Sequence, residues 1–342
     1  MSASFVVTGV AGFIGSHLSA ALLARGDRVI GLDNFDPFYD RKLKLANVAQ
    51  LAHDRFELVE LDIRDAQAVR AVFERARPAG VFHIAALAGV RPSIDDPARY
   101  VSVNVDGLVS VLEAARACDC QHFIFASSSS VYGNNTKVPF AETDRVDEPI
   151  SPYAATKRAG ELICHTYSHL YGISIACLRF FTVYGPAQRP DLAIGKFMRL
   201  IADDQTVPMF GDGSTSRDYT YIDDIIQGVL GAHEFLSSSS LKPQVARNLP
   251  WRASPLFRIF NLGGSQPVAL RDMIEAVGAV VGNKPRIEQL PMQVGDVQRT
   301  YADLTRSRQE LGFDPQTPFE DGLRKQWAWL RDRLELFAPA TP

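Results

Sequence analysis

Four residues of buried-strand character, Phe5-Val6-Val7-Thr8, run directly into Gly9-Val-Ala-Gly12-Phe-Ile-Gly15. A helical pattern with Leu18, Ala21 and Leu22 on one face follows and closes at Gly26. Few folds accept that order. Glycines permit a tight turn and the close approach of a pyrophosphate, and the new helix offers N–H donors and a partial positive charge. The spacing is Gly-x-x-Gly-x-x-Gly rather than Gly-x-Gly-x-x-Gly, so the next strand carries much of the argument. Arg28-Val-Ile-Gly-Leu-Asp33 ends in an acid 18 residues past Gly15, where a carboxylate binds ribose hydroxyls and repels a 2′-phosphate. NAD is therefore expected in preference to NADP.

The alternation continues. Strands are expected at 56–62, 81–86, 122–126 and 173–181, with helices at 66–76, 101–117 and from Ser151 onward. Repeated βα units of this length predict an α/β fold, a doubly wound parallel Rossmann sheet with its ligands beyond the carboxyl ends of the strands. The glycine loop, Asp33, Asp62, Ala85-Ala86, the serine run and Thr182 all fall on that edge. After Phe181 the texture changes to turn residues and shorter elements. The expected division is an NAD-binding domain over 1–185 and a smaller C-terminal substrate-binding domain over 186–342. Strand-like segments near 217–230 and 256–264 are expected to return to the sheet. Residues 237–256 read as an exposed insertion, and helices are expected near 270–281, 303–311 and 319–334.

Chemistry concentrates between Phe125 and Lys157. A serine run ends a strand, and Ser151-Pro152 supply an N-cap and first-turn proline for a helix carrying Tyr153 and Lys157. Four residues apart, phenol and ammonium share one helix face. A nearby positive charge lowers a tyrosine's pKa and makes the phenolate available as a base. A hydroxyl from the serine run can hydrogen-bond the same substrate oxygen. His165 and His169 lack the further ligands of a metal site, and no metal is expected. Cys118, Cys120, Cys164 and Cys177 form neither a Cys-x-x-Cys pair nor a disulfide ladder, which fits thiols in a reducing compartment. A net charge of −3 argues against a nucleic-acid partner. No apolar run reaches the ~20 residues of a membrane span, and the strand at Phe5 leaves no stretch for a signal peptide. A cytoplasmic enzyme is expected.

Gly9-x-x-Gly12-x-x-Gly15, Asp33, Ser128 and Tyr153-x-x-x-Lys157 resemble the extended short-chain dehydrogenase/reductase family of nucleotide-sugar enzymes. The segments at 31–40, 83–93, 181–193, 216–225 and 295–303 are similar to UDP-glucuronate 4-epimerases, and the similarity spans about Phe5 to Trp329. The resemblance implies Phe13 and Ile14 at the pyrophosphate, Asp33 and Asn34 at the adenosine ribose, and Asp62 and Ile63 at the adenine. It implies Ile84, Ala85, Ala86, Ala88, Asn104 and Phe181 along the path to the nicotinamide. Ser128, Tyr153 and Lys157 become the catalytic trio, with Tyr153 and Lys157 also touching the cofactor. Arg91, Ser129, Ser130, Thr182, Arg189 and Arg217 become substrate contacts, and the helices near 101–117 and 151–171 a homodimer face. Pro92, Ala187-Gln188 and Gly195 depart from the pattern of close relatives and are expected near the sugar pocket.

The implied reaction is inversion at C4 of a UDP-hexuronic acid, UDP-glucuronate to UDP-galacturonate, through a 4-keto sugar with tightly bound NAD. Alternatives are 4-epimerisation of UDP-glucose or a UDP-N-acetylhexosamine, decarboxylation, 4,6-dehydration, or a non-catalytic NAD-binding scaffold. A dehydratase of this family carries an Asp-Glu pair in the place of Ser129-Ser130, and a decarboxylase a glutamate at Ser130. Here the run is all hydroxyls, which favours the epimerase, and the intact trio argues against a scaffold.

Overall fold

The computed structural model describes residues 2–238, 257–292 and 297–337, so the expected insertion at 237–256 lies almost wholly outside the described residues. In chain order the strands are β1 (Ser4–Thr8), β2 (Arg28–Asp33), β3 (Phe56–Glu60), β4 (Gly80–His83), β5 (His122–Ser128), β6 (Ser174–Phe180), β7 (Thr182–Tyr184), β8 (Thr206–Phe210), β9 (Ser216–Tyr221), β10 (Phe257–Leu262), β11 (Pro267–Ala269) and β12 (Arg286–Leu290). Seven of them form one sheet in the order β3-β2-β1-β4-β5-β6-β10, every pair parallel. This is the doubly wound Rossmann arrangement. The strand order reverses between β1 and β4, and the crevice belonging to that switch point lies at their carboxyl ends.

Alternation along each strand splits the core into two layers, one on each face of the sheet. Val7, Phe82, Ile124 and Leu178 belong to one cluster; Val6, Val81, Phe123 and Ile175 belong to the other. Both faces are covered, so the strands read as continuous apolar runs. All four cysteines, Cys118, Cys120, Cys164 and Cys177, are buried and unpaired. Among the described residues no helix is long and apolar enough to cross a membrane, and no group of three or more metal-ligating side chains occurs.

Several boundaries differ from expectation. β4 stops at His83 rather than Ala86, leaving Ile84–Gly89 as irregular backbone at the switch point. The 101–117 helix is broken by a π-helical turn at Ser102–Asp106. A helix at Arg41–Ala49, capped by the Asp40 side chain on Lys42 N–H, was not foreseen. Of the two late segments, Phe257–Leu262 joins the main sheet beside β6, whereas β9 pairs with β7 and β11 in a separate sheet. The helix after it, Ile222–Ser238, nonetheless packs against β5 and β6. Helices at Leu270–Val281, Thr305–Leu311 and Phe319–Arg331 close the chain.

Candidate active site

The switch point opens into a cavity of about 470 Å³. Its floor begins at the glycine turn. A Cβ on Gly15 would lie 2.1 Å from the Gly9 carbonyl oxygen, so the turn exists only with glycine there. The helix Phe13–Ala24 starts with no side-chain cap and no acid in its first turn. Phe13 and Ile14 line the cavity, so their end of the helix is free to meet an anion. Asp33, at the end of β2, accepts from Ala11 N–H at 3.0 Å and Phe35 N–H at 2.8 Å. It therefore ties the glycine turn to the second strand while lining the cavity. Burial pushes its carboxyl above the ordinary range, against the opposing charge of Lys44. Asn34 donates to Asp62 at 3.0 Å, and the Arg64 guanidinium holds Asp62 down to about 2. A cradle only glycine can form, an uncapped helix start and a buried carboxylate at the second strand fit a dinucleotide.

Sequence reasoning missed the next contributors. Phe38, Tyr39 and Lys44 also line the cavity. Lys44 is buried, donates to the Asp36 carbonyl at 2.8 Å and lies 4.8 Å from the Tyr39 ring centre. Burial lowers its pKa, and Asp33 and Asp36 oppose that shift. The sequence signal available was the segment at 31–40, which holds Phe38 and Tyr39; Lys44 lies on the helix that was not foreseen.

The catalytic end is built on β5 and the helix Pro152–Tyr171. Ser151 caps that helix, accepting from Ala154 N–H at 3.1 Å, with Pro152 in the first turn. The helix presses close to β5: a Cβ on Gly160 would come within 2.4 Å of the Phe125 ring. Lys157 Nζ donates to the Ala126 carbonyl at 2.7 Å. Four residues on, the buried Glu161 accepts from Ser127 Oγ at 2.7 Å and from Arg179 at 2.8 and 2.9 Å. These bonds hold the helix against the end of β5. Ser128 accepts from Ser130 N–H and donates to Ser130 Oγ, both at 3.1 Å, and its hydroxyl lies near enough to the Tyr153 phenol to pull its pKa down. Tyr100 packs edge-on to Tyr153, ring centres 6.4 Å apart.

Burial dominates the electrostatics of the pair. Burial pushes Tyr153 above its ordinary value, while Ser128 and Arg189 pull it down. Burial brings Lys157 itself down to about 7. The ammonium is directed at a main-chain carbonyl and sits 5.9 Å from the Tyr153 ring centre.

Gly9, Gly12, Gly15, Asp33, Asn34, Asp62, Ile63, Ile84, Ala85, Ala86, Ala88, Phe181, Ser128, Ser129, Ser130, Thr182, Tyr153, Lys157 and Arg189 all line the cavity. Asn104, Arg91 and Arg217 are not among its lining residues. Asn104 points from the π-helical turn into a clamp: it accepts from Leu87 N–H at 2.8 Å and donates to Leu87 O and Thr156 Oγ1, both at 3.0 Å. It holds the Ile84–Ala88 backbone against the catalytic helix. Arg91 lies over the Phe210 ring at 5.3 Å, and Arg217 donates to its neighbour's carbonyl, Ser216 O, at 2.9 Å. Pro92, Ala187, Gln188 and Gly195 do not line it either. Gln188 is buried, donating to Val183 O and accepting from Gly195 N–H and Gln326 Nε2. A larger residue at 195 would crowd that cluster, where a Cβ already meets Gln326 at 3.4 Å.

The sequence matches the GDP-mannose 4,6 dehydratase family over residues 6–326. It is 45% identical over 332 residues to UDP-glucuronate 4-epimerase 3 of Arabidopsis thaliana, covering 95% of this chain and 76% of that one. Among solved structures, the UDP-glucuronic acid 4-epimerase of Bacillus cereus, in complex with UDP-glucuronic acid and NAD, superposes with a TM-score of 0.86 at 32% identity. That match covers 96% of this chain and 99% of the other. UDP-glucose 4-epimerase of Thermotoga maritima, with UDP-glucose, gives 0.84 at 29% identity over 97% and 99%.

Proposed function

We propose that this chain, which belongs to the GDP-mannose 4,6 dehydratase family, inverts C4 of UDP-glucuronate with NAD as its resident cofactor, giving UDP-galacturonate through a 4-keto sugar. The observation that carries the reading is the distribution of charge along the cavity. Among the described residues its lining carboxylates are Asp33, Asp36 and Asp62, at the ends of β2 and β3. The end at β5 offers Ser128, Ser129, Ser130 and Tyr153, and Arg189, which lies over the Phe38 ring and acts on the Tyr153 phenol, is the added cation. β2 and β5 are three strand spacings apart in the sheet, roughly 14 Å. A dehydratase would need a carboxylic acid and base beside the sugar, and among the described residues none lines that end.

When bound, NAD supplies the reversible two-electron oxidation at C4 and a positive ring charge. The Gly9–Gly15 turn, Phe13 and Ile14 hold its pyrophosphate, and Asp33, Asn34, Asp62, Ile63 and Lys44 its adenosine half. Tyr153 takes the C4 hydroxyl proton and returns it. Ser128 holds both the phenol and the sugar oxygen in line, and Lys157 stiffens the site through Ala126. Arg189, with Ser129, Ser130 and Thr182, pins the C6 carboxylate. A carboxylate held by hydrogen bonds is stabilised in the ground state, which opposes loss of carbon dioxide from the keto sugar. The decisive experiment is parallel incubation with UDP-glucuronate and UDP-glucose, products read by NMR. Inversion of the neutral sugar alone would overturn the reading in favour of a UDP-glucose epimerase.

Two variants test the assignments. Asp33→Ala should weaken NAD by about 1.5–3 kcal/mol, roughly a 10- to 150-fold rise in Kd, and relax discrimination against NADP. Because Asp33 also ties down Ala11 and Phe35, Asp33→Asn should recover part of the loss. Unchanged calorimetric affinity would place Asp33 outside the cofactor site. Arg189→Ala should cost kcat/KM several-fold more on UDP-glucuronate than on UDP-glucose, and release some decarboxylated pentose product. Equal losses on both sugars would move Arg189 to the diphosphate. We also propose a cytoplasmic homodimer. Leu162 and Leu170, 53% and 54% exposed, lie eight residues apart on one face of the catalytic helix, an apolar stripe suited to a second copy.

A further inference from the structure

Three cationic side chains line the cavity among the described residues: Lys44, Lys157 and Arg189. Lys44 is tied to the Asp36 carbonyl and Lys157 to the Ala126 carbonyl. Arg189 is thus the charge left for the sugar, and it is not a bare one. Its Nε and Nη2 donate to the two oxygens of Asp191 at 3.0 and 2.8 Å. One guanidinium face lies over the Phe38 ring at 5.2 Å. Two of the five N–H donors are taken by Asp191, and three remain. The guanidinium therefore keeps donors for a ligand while its charge is already answered.

We propose that Asp191 sets the discrimination between acidic and neutral nucleotide sugars, by balancing the charge of Arg189 while leaving it hydrogen-bond donors. The proposal rests on the reading that Arg189 meets the substrate carboxylate. Asp191 does not line the cavity; it is a specificity residue that acts through Arg189. A balanced guanidinium serves a hydroxymethyl group and a carboxylate with similar donors, so the pair narrows the gap between the two sugars. It also weakens the hold on the product, which carries the same carboxylate as the substrate. The Arg189 side chain is 17% exposed and that of Asp191 41%, so water screens the pair without erasing it.

Asp191→Asn removes the charge and keeps the shape and one acceptor oxygen. KM for UDP-glucuronate should fall about three- to tenfold, the scale of one partly screened charge contact, with KM for UDP-glucose nearly unchanged. Asp191→Ser, a second variant with the same charge change, should move the acid in the same direction. Adding Arg189→Ala to Asp191→Asn should erase the acid-specific gain. Equal changes on both sugars, a higher KM for the acid, or a gain that survives without Arg189 would each overturn the proposal. Failure of the underlying reading is seen separately, as wild-type protein that does not invert UDP-glucuronate by NMR. In that event calorimetric binding of the two sugars still reports whether Asp191→Asn tightens the acid alone.

Discussion

Tyr153→Phe is expected to lower kcat by about 10²–10⁴-fold while fold and NAD binding stay intact. The substitution removes one oxygen from a ring that keeps its place against Tyr100, so the cavity retains its shape. What is lost is the acceptor for the C4 hydroxyl proton and the partner of Ser128. KM for the nucleotide sugar should change little, because the phenol acts on the reacting oxygen and not on the diphosphate. The pH profile is an independent arm. Burial raises the phenol while Ser128 and Arg189 lower it, so wild-type kcat/KM should climb with pH as Tyr153 ionises. That limb should vanish in the variant. Substantial residual turnover with the same pH limb would assign the base elsewhere, and loss of NAD would make Tyr153 a cofactor anchor.

The helix bearing Tyr153 was legible because its ends are written locally: Ser151 and Pro152 start it, and Gly172 ends it in a left-handed conformation. The strands were legible because burial on both faces demands continuous apolar runs. What local pattern could not convey was tertiary. Asn104 in mid-helix reads as a poor helix former, and its reason lies in the Leu87 backbone and Thr156 across the cavity wall. Gln188 gains its meaning from Gln326, 138 residues away. The Arg41–Ala49 helix buries only Leu43, Lys44 and Asn47, so it has almost no apolar periodicity to read. The Tyr153–Lys157 spacing gave the shared helix face and not the neighbours that each group meets. A shared helix face says nothing about which neighbour an ammonium will choose, and burial made the Ala126 carbonyl the stronger claim.

The same limit hid the ion pair beneath the serine run, and there a large loss of stability is expected. The side chains of Glu161 and Arg179 are 0% and 1% exposed. Arg179 sits opposite Ser127 in the β5–β6 register, and Glu161 binds both. Burial alone would raise the Glu161 carboxyl, yet Arg179, Ser127 and Arg158 together hold it below its ordinary value. Glu161→Gln keeps the volume and leaves the Arg179 charge buried without its partner, a change expected to cost about 3–5 kcal/mol. Removing both charges, as Glu161→Gln with Arg179→Met, should recover most of that, since a buried pair and a well-packed apolar replacement differ little. The pH dependence follows from the depressed carboxyl. Its stabilisation is fully present above the unfolded carboxyl's pKa and is lost as pH falls through the lower folded value. Wild-type thermal stability should therefore drop on acidification through that window more steeply than that of the double variant. Turnover should respond as well: with Ser127 released, Ser128 loses its fixed distance from Tyr153, and kcat should fall more than KM rises. A Glu161→Gln protein as stable as wild type, or a double variant no better than the single, would mean that solvent or another acid reaches Arg179 and that the pair does not hold the serine run in place.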